Sequence, residues 1–256
     1  MASNLITLAR NLQRRRSRSR KNLALAEGVR LVEEAVDAGV QFRGVIVDKT
    51  LGGSARGGEL LGRLASHAVP IEEVSDRILR QVADTENPQG VVAVIEHPKF
   101  DLSSITPKRR RAVLVIDGVQ DPGNLGTLLR TAFALGTSGV ILLRGSADPA
   151  NPKALRAAAG ASFRLPTATA TDESFSGWLQ QNHVTLWVAD SDGAPLMRVA
   201  APEKLALVVG NEGAGVRPAV AALASKRVAI PLARGAESLN VAVATGILLY
   251  EVQRVS

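Results

Sequence analysis

The 256-residue chain contains no cysteine, and that absence removes disulfides, thiolate metal sites and cysteine nucleophiles together. Histidine is nearly as scarce: His67, His97 and His183 are scattered too widely to suggest a metal cluster, so no metal is expected. Aromatic residues make up 3% of the chain, which argues against a broad platform for stacking bases. No uninterrupted apolar run reaches the roughly 18 residues of a membrane span. The first residues also lack the charged-then-apolar pattern and small-residue cleavage site of a secretory signal. Neither spanning nor secretion is expected, and the cytoplasm is the expected compartment.

What the chain does have is positive charge. A net charge of +7 and a sequence pI of about 10.3 favour a polyanionic partner, with RNA, DNA and anionic lipid all open at this point. Part of the excess is local: RNLQRRRSRSRK, Arg10 to Lys21, holds seven basic residues and no acid. Such a run is often only a solvated arm. As a functional element it tracks phosphates through Arg14, Arg15, Arg16, Arg18, Arg20 and Lys21, with binding that weakens steeply as salt rises. With so few aromatics, recognition leans on backbone and shape.

The hydrophobic pattern divides the chain. Residues 1–22 form the basic arm. From Leu23 to Val36, LALAEGVRLVEEAV has apolar residues at helical spacing and predicts a helix interrupted by Gly28. GVIVDK, GELLGRLASH, AVPIEEV, SDRILRQVAD and GVVAVIE then alternate strand and helix, giving a small α/β domain over 23–96. HPKFDLSSITPKRRR has two prolines and a basic cluster, and predicts a linker over 97–111. A second α/β domain, 112–256, opens on AVLVIDG, a continuous apolar run of the kind covered on both faces. GVILLRG, VTLWVADS, LALVVGNE and RVAIPL are its further strands, with helices between, which implies a mainly parallel sheet with its site at the carboxyl ends of the strands.

Three segments sit at such strand ends. DGVQDPGNLGTLLRTAFALG, Asp117 to Gly136, turns through Asp-Pro-Gly into a helix for which Asn124 is a plausible cap. Leu125, Leu128, Leu129, Ala132 and Phe133 form its apolar stripe and leave Arg130 on another face. LVVGNEGAGV, Leu207 to Val216, ends a strand in Gly210, Gly213 and Gly215 around Glu212. These glycines could merely build a turn, or could let a ligand approach the backbone. IPLARGAESLNVAVATGILLYEVQR, Ile230 to Arg254, starts an apolar helix at Ser238-Leu239-Asn240, where Ser and Asn serve as N-caps. The helix is apolar on most sides, which predicts burial against the sheet and against something else.

In this order and spacing, NLGTLLRTA, GNEGAGV and IPLARGAESLNVAVA resemble the three motifs of the SpoU (TrmH) family of RNA ribose 2′-O-methyltransferases. LAEGVRLVEEAVDAG resembles the start of the substrate-binding domain that many members carry. The resemblance is strong over about 112–254 and looser across nearly the whole chain; the arginine-dense arm departs from it. It implies a C-terminal α/β domain tied in a deep trefoil knot, preceded by a smaller RNA-binding domain, with S-adenosylmethionine (S-adenosyl-L-methionine) as cofactor. It further implies that Gly210, Ile230 and Leu239 hold that cofactor, that Asn124, Arg130, Glu212, Ser238 and Asn240 surround the reaction, and that the protein is a homodimer.

Because the transferred methyl is already activated, the protein's task is to align the ribose 2′-oxygen and manage its proton. The resemblance offers Arg130 as the base. Lowering a guanidinium from above about 12 to near 7 asks on the order of 7 kcal/mol, so a role clamping phosphate and stabilising a developing alkoxide stands beside it. No histidine is placed in sequence to activate Ser238, which disfavours a covalent route. Ribosomal RNA is favoured because of the added front domain, with tRNA, or a resistance-conferring ribosomal methylation, as alternatives. Two other classes compete: a non-catalytic RNA-binding protein, disfavoured by the three intact motifs, and a nucleotide-dependent Rossmann enzyme, for which DGVQDPGN supplies no convincing phosphate loop.

Overall fold

The computed structural model describes residues 4–254. In chain order its first elements are α1 Asn4–Leu12, α2 Arg15–Lys21, β1 Leu23–Glu27, α3 Val29–Asp37, β2 Phe42–Asp48, α4 Ala55–Ser66, β3 Ile71–Val74, α5 Asp76–Val82 and β4 Val91–Glu96. Then follow β5 Val113–Asp117, α6 Pro122–Ala134, β6 Gly139–Leu142, α7 Pro152–Ala158, α8 Ala161–Arg164, β7 Thr167–Thr169 and α9 Asp172–Asn182. The chain continues through β8 Thr185–Pro195, β9 Leu205–Gly210, α10 Pro218–Ala221, β10 Lys226–Ala229 and α11 Val241–Arg254. Two compact units result: one runs to Pro98 and takes in Asp148–Arg164, and the other comprises Lys99–Ala147 and the chain from Leu165 onward.

The first unit is a four-stranded sheet in the order β1-β4-β2-β3, antiparallel except for the β2–β3 pair. Both faces are covered. Val32, Ala35, Val45, Leu60, Leu64 and Ile95 form one core, and Leu12, Leu25, Ile46, Leu79, Val82 and Val94 the other. Burial on both sides explains a departure from the predicted helix over Leu23–Val36. Ala24 and Ala26 enter one core and Leu23 and Leu25 the other, so Leu23–Glu27 is a strand whose two apolar faces mimic helical spacing, and the helix begins only after Gly28. Gly28 itself has φ 94°, which suits glycine.

From residue 4 the basic arm is mostly helical. Ile6, Ala9 and Leu12 of α1 are buried on the second core, and α2 follows after a short turn. Residues 148–164, which the sequence places with the C-terminal domain, pack with the first unit instead. Leu155 and Phe163 enter its core, and Arg164 pairs with Glu34 at 2.7 Å. Gly160 (φ 84°) lies where an added Cβ would fall 2.7 Å from Glu34 Cβ. A local helical pattern carries no information about which sheet it will dock on.

The second unit is a six-stranded, wholly parallel sheet in the order β10-β8-β9-β5-β6-β7. Val113, Val115, Ile141, Val208, Phe175 and Trp178 share one core. Leu114 and Ile116, alternating with them, are buried on the opposite face, where α6 and α11 pack against each other. The segment predicted as a linker joins this unit from Lys99 onward: Ile105 is buried in the core and its carbonyl accepts the Trp178 indole N–H at 3.3 Å. Because all six strands run one way, the loops after β5, β9 and β10 open at the same edge of the sheet.

Candidate functional site

The loop after β5 enters α6 through Asp121, the N-cap, whose carboxylate accepts the Asn124 backbone N–H at 2.8 Å, with Pro122 in the first turn. Asn124 is therefore not the cap predicted for it. With that task taken by Asp121, its side chain is free to reach across: Nδ2 donates to Glu212 Oε1 at 2.8 Å.

Glu212 stands on the glycine loop that closes β9. Asn211 and Gly215 exchange backbone hydrogen bonds at 3.0 and 2.9 Å. The backbone of Gly210 lies so near that a Cβ there would fall 2.1 Å from the Gly215 carbonyl carbon, so any larger residue forces the loop apart. Asn211 organises the turn: Oδ1 accepts the Gly213 and Ala214 N–H groups, each at 3.0 Å, and Nδ2 donates to the Gly118 carbonyl at 3.0 Å. Asn211 is not among the site residues predicted from sequence; the signal that could have found it is an Asn two and three residues before N–H groups in a tight glycine turn, where an Asx side chain mimics backbone.

The third segment leaves β10 at half-buried Ile230, runs exposed through Pro231–Asn240 and becomes helical at Val241. The predicted start at Ser238 shifts by three residues. Asn240 is the cap, its Oδ1 accepting the Ala242 N–H at 2.9 Å, while Ser238 lies exposed in the loop. Asn240 Nδ2 donates to Asn124 Oδ1 at 3.1 Å. One relay of bonds, Asn240 to Asn124 to Glu212, thus joins all three segments, and each amide is oriented by the bond on its other side. Gly210, Ile230 and Leu239 border the same strand ends, with Leu239 39% exposed.

Arg130 is not part of this relay. Six residues beyond Asn124 on α6, it lies about 9 Å further along the axis, exposed, without an ion pair among the described residues. Of the six arm residues, Arg14, Arg15, Arg16, Arg20 and Lys21 are exposed. Arg18 corrects the expectation of phosphate contact. Its side chain is 3% exposed, pairs with Asp148 through Nε at 2.9 Å and Nη2 at 2.7 Å, and caps the end of α1 through Nη1 to the Leu12 and Gln13 carbonyls. Every edge of its guanidinium is used inside the protein.

Two more charged contacts lie at the strand ends. Asp117 at the end of β5 is fully buried and paired with Arg217, which also forks onto Asp172. The Asp172 carboxyl is held below its ordinary range chiefly by its hydrogen bond to Arg217, and the Arg217 guanidinium is pushed up, first by Asp172 and then by Asp117. Among the described residues no group of three or more His, Asp or Glu side chains is placed to hold a metal, and no helix is long and apolar enough to cross a membrane.

Taken together, the strand ends offer a cradle of backbone, small residues and amide groups. A Cβ at Gly215 or Gly235 would meet nothing within 4 Å, so the backbone at both glycines faces open space. Such a surface, with apolar Ile230 and Leu239 at its margin, offers backbone hydrogen-bonding groups beside apolar contact, which is what a cofactor with a nucleoside part and an amino-acid part needs.

Known proteins share this architecture. The chain matches the SpoU rRNA Methylase family over residues 111–250 and the MRM3-like substrate binding domain over residues 4–93. It is 36% identical to the 23S rRNA (guanosine(2553)-2′-O)-methyltransferase RlmP of Bacillus subtilis over 249 residues, 95% of this chain and 94% of that protein. The SpoU methyltransferase AviRb from Streptomyces viridochromogenes, solved in complex with the cofactor AdoMet, superposes with a TM-score of 0.88 at 30% identity, covering 99% of this chain and 98% of that one. An AdoMet-bound rRNA methyltransferase from Sinorhizobium meliloti gives 0.87 at 30% identity, covering 98% and 95%. With the motifs joined by hydrogen bonds at the ends of a parallel sheet and a family match across more than half its length, the chain belongs to the SpoU rRNA methylase family.

Proposed function

We propose that this protein is an enzyme that transfers a methyl group from S-adenosylmethionine to a ribose 2′-hydroxyl of ribosomal RNA. The observation that carries this is the Asn240–Asn124–Glu212 relay, which brings three sequence-distant motifs to one place. Relatives named for 23S rRNA favour ribosomal RNA over tRNA. When bound, the cofactor supplies a methyl on a positively charged sulfur, so departure leaves a neutral thioether.

The protein's own residues position and stabilise. Gly210, Ile230 and Leu239 hold the cofactor by backbone and apolar contact, Gly210 because only glycine permits the packing on Gly215. Asn124, Glu212 and Asn240 fix the loop ends relative to one another, and exposed Ser238 faces the incoming RNA. Arg130 clamps substrate phosphate and stabilises charge developing on the ribose oxygen, a task suited to a planar donor fork. The first unit, whose matched family domain begins at residue 4, binds the RNA, and the exposed arginines of α2 belong to that surface.

The proposal includes a trefoil knot in the second unit. It rests on membership of the SpoU family, matched over residues 111–250, and the β10–β8 pairing is irregular in the same unit. The pairing jumps from Arg227–Val188 to Val228–Ala194, and a Cβ at Gly193 would fall 2.6 Å from the Val228 backbone. It also includes a homodimer acting in the cytoplasm. Val243, Ile247 and Tyr250 lie at i, i+4 and i+7 on α11, 53, 44 and 58% exposed, and Phe133 of α6, expected in the core stripe, is 44% exposed. This apolar surface suits a second copy, and Arg130, three residues before Phe133, stands on the same side of α6.

Transfer of a tritiated methyl group from S-adenosylmethionine to separated ribosomal RNA and tRNA tests the activity. Label in ribosomal RNA that protects one phosphodiester from alkali, and disappears with Arg130→Ala, is expected. Label on a base, or none on naked or ribosome-bound RNA, would sink the assignment.

A further inference from the structure

Asp117 is a buried carboxylate at the carboxyl end of β5 for which methyl transfer has no use. Its side chain is 0% exposed and both oxygens are taken by one residue. Oδ2 accepts the Arg217 backbone N–H at 2.8 Å and Oδ1 accepts Arg217 Nε at 2.7 Å. The terminal nitrogens of Arg217 point elsewhere, forking onto the two oxygens of Asp172, the first residue of α9, at 2.9 and 2.7 Å. At the other end of the same loop, Asn211 Nδ2 donates to the carbonyl of Gly118, the neighbour of Asp117. The segment 211–217 is therefore pinned at both ends to two consecutive residues of one strand end. Glu212 and the Gly210–Gly215 contact lie within or against that span.

We infer that Arg217 is a positioning residue for the cofactor: it holds the glycine loop in the shape that receives S-adenosylmethionine, acting through the loop and not on the reacting atoms. This rests on the assignment of Gly210 and its loop to the cofactor. Arginine is needed because one rigid fork serves two carboxylates on different segments simultaneously, with Nε and the backbone on Asp117 and the terminal pair on Asp172. Lysine offers a single point charge and cannot span both. The Asp172 side is 43% exposed and weak by itself; buried Asp117 makes the anchor rigid. A loop fixed in advance lowers the ordering cost of binding, so its loss weakens cofactor affinity more than turnover at saturation.

Removing Arg217 alone leaves Asp117 charged and unpaired, so the main variant is Asp117→Asn with Arg217→Gln. S-adenosylhomocysteine binding is measured by calorimetry, and steady-state constants are measured for cofactor and RNA. Provided the circular dichroism is native, S-adenosylhomocysteine affinity and cofactor KM are expected to worsen at least tenfold, with RNA KM and saturated kcat within about twofold. Arg217→Lys should recover part of the loss. Unchanged affinity in the folded variant overturns this inference alone, as does a parallel decline of RNA KM and kcat. A wild-type protein that fails to bind S-adenosylhomocysteine overturns the cofactor assignment and this inference with it. If the double variant does not fold, Arg217→Lys, which keeps a charge beside Asp117 but cannot span both carboxylates, decides: about threefold weaker binding is expected, and wild-type affinity overturns the inference.

Discussion

Asn124 shows how close two roles can lie in sequence. Asp121 and Asn124 are both good capping residues at the start of α6, and only the folded chain divides the work: Asp121 holds the helix and Asn124 holds Glu212 and Asn240. Asp121→Ala is expected to cost about 1 kcal/mol and lower Tm by about 2–4 °C. Asn124→Ala is expected to leave Tm nearly unchanged while lowering kcat about tenfold or more, because the relay between the three loops is cut. Differential scanning calorimetry beside methyl-transfer rates checks the pair; equal thermal losses without a rate difference would return Asn124 to a structural role. That the three motifs belong together was legible from residue type and spacing, and Asn124, Glu212 and Asn240 do meet in one relay. Asn211, Asp117 and Arg217 were not legible, since their importance lies in partners up to 100 positions away.

His97 belongs to the same scale. Its Nε2 is buried with no hydrogen-bond partner among the described residues, and burial pushes the ring's pKa below the ordinary 6.5, with nearby Asp148 only partly opposing. The unfolded chain therefore binds a proton near pH 6.5 that the folded chain refuses. This residue's contribution is fully present above that pH and declines as pH falls through the window down to the lower folded value. Between about pH 7.5 and 5.5 the Tm should fall, and His97→Gln should flatten that decline. A Tm profile of unchanged slope in the variant would assign the pH dependence elsewhere.

At the scale of elements, periodicity identified α4, β2, β4 and β5 and most strands of the parallel sheet, because one-sided or fully buried faces leave a clear trace in sequence. It failed where two faces are buried on different cores, as in β1, and where charge masks a helix, as in α2 with Arg18 turned inward. The apolar helix α11 was legible in the sequence, and the structure leaves part of the apolar face expected to be covered open. Ala242, Leu248, Leu249 and Val252 face inward, while Val243, Ile247 and Tyr250 remain exposed. Ile247→Glu places a charge in the middle of that stripe. Light scattering at micromolar concentration is expected to report the mass of one chain, 26.9 kDa, for the variant and twice that for the wild type. A wild-type monomer would refute the dimer, and a dimeric variant would move its interface off this face.

For the whole molecule, the sequence separates a small front α/β unit from a larger parallel one, but its linear boundaries miss that residues 148–164 pack with the front unit. Linear patterning has no means of recording that return. The same segment supplies Asp148, the carboxylate that draws Arg18 inward and so fixes α2 with Arg15, Arg16 and Arg20 on its exposed side. A net charge of +7 would attract RNA from any direction, whereas an ordered helix presents its charges at fixed spacing. If α2 tracks phosphates, replacing Arg15, Arg16 and Arg20 by Gln removes up to three contacts, each worth roughly 0.7 to 0.9 in the slope of log affinity against log salt. The expected slope is therefore shallower by about two to three, with S-adenosylhomocysteine affinity unchanged, since those residues lie outside the unit that holds the glycine loop. An unaltered slope would make the arm a scaffold and assign RNA attraction to other basic residues. A slope that falls together with cofactor affinity would mean that the substitutions had disturbed the fold.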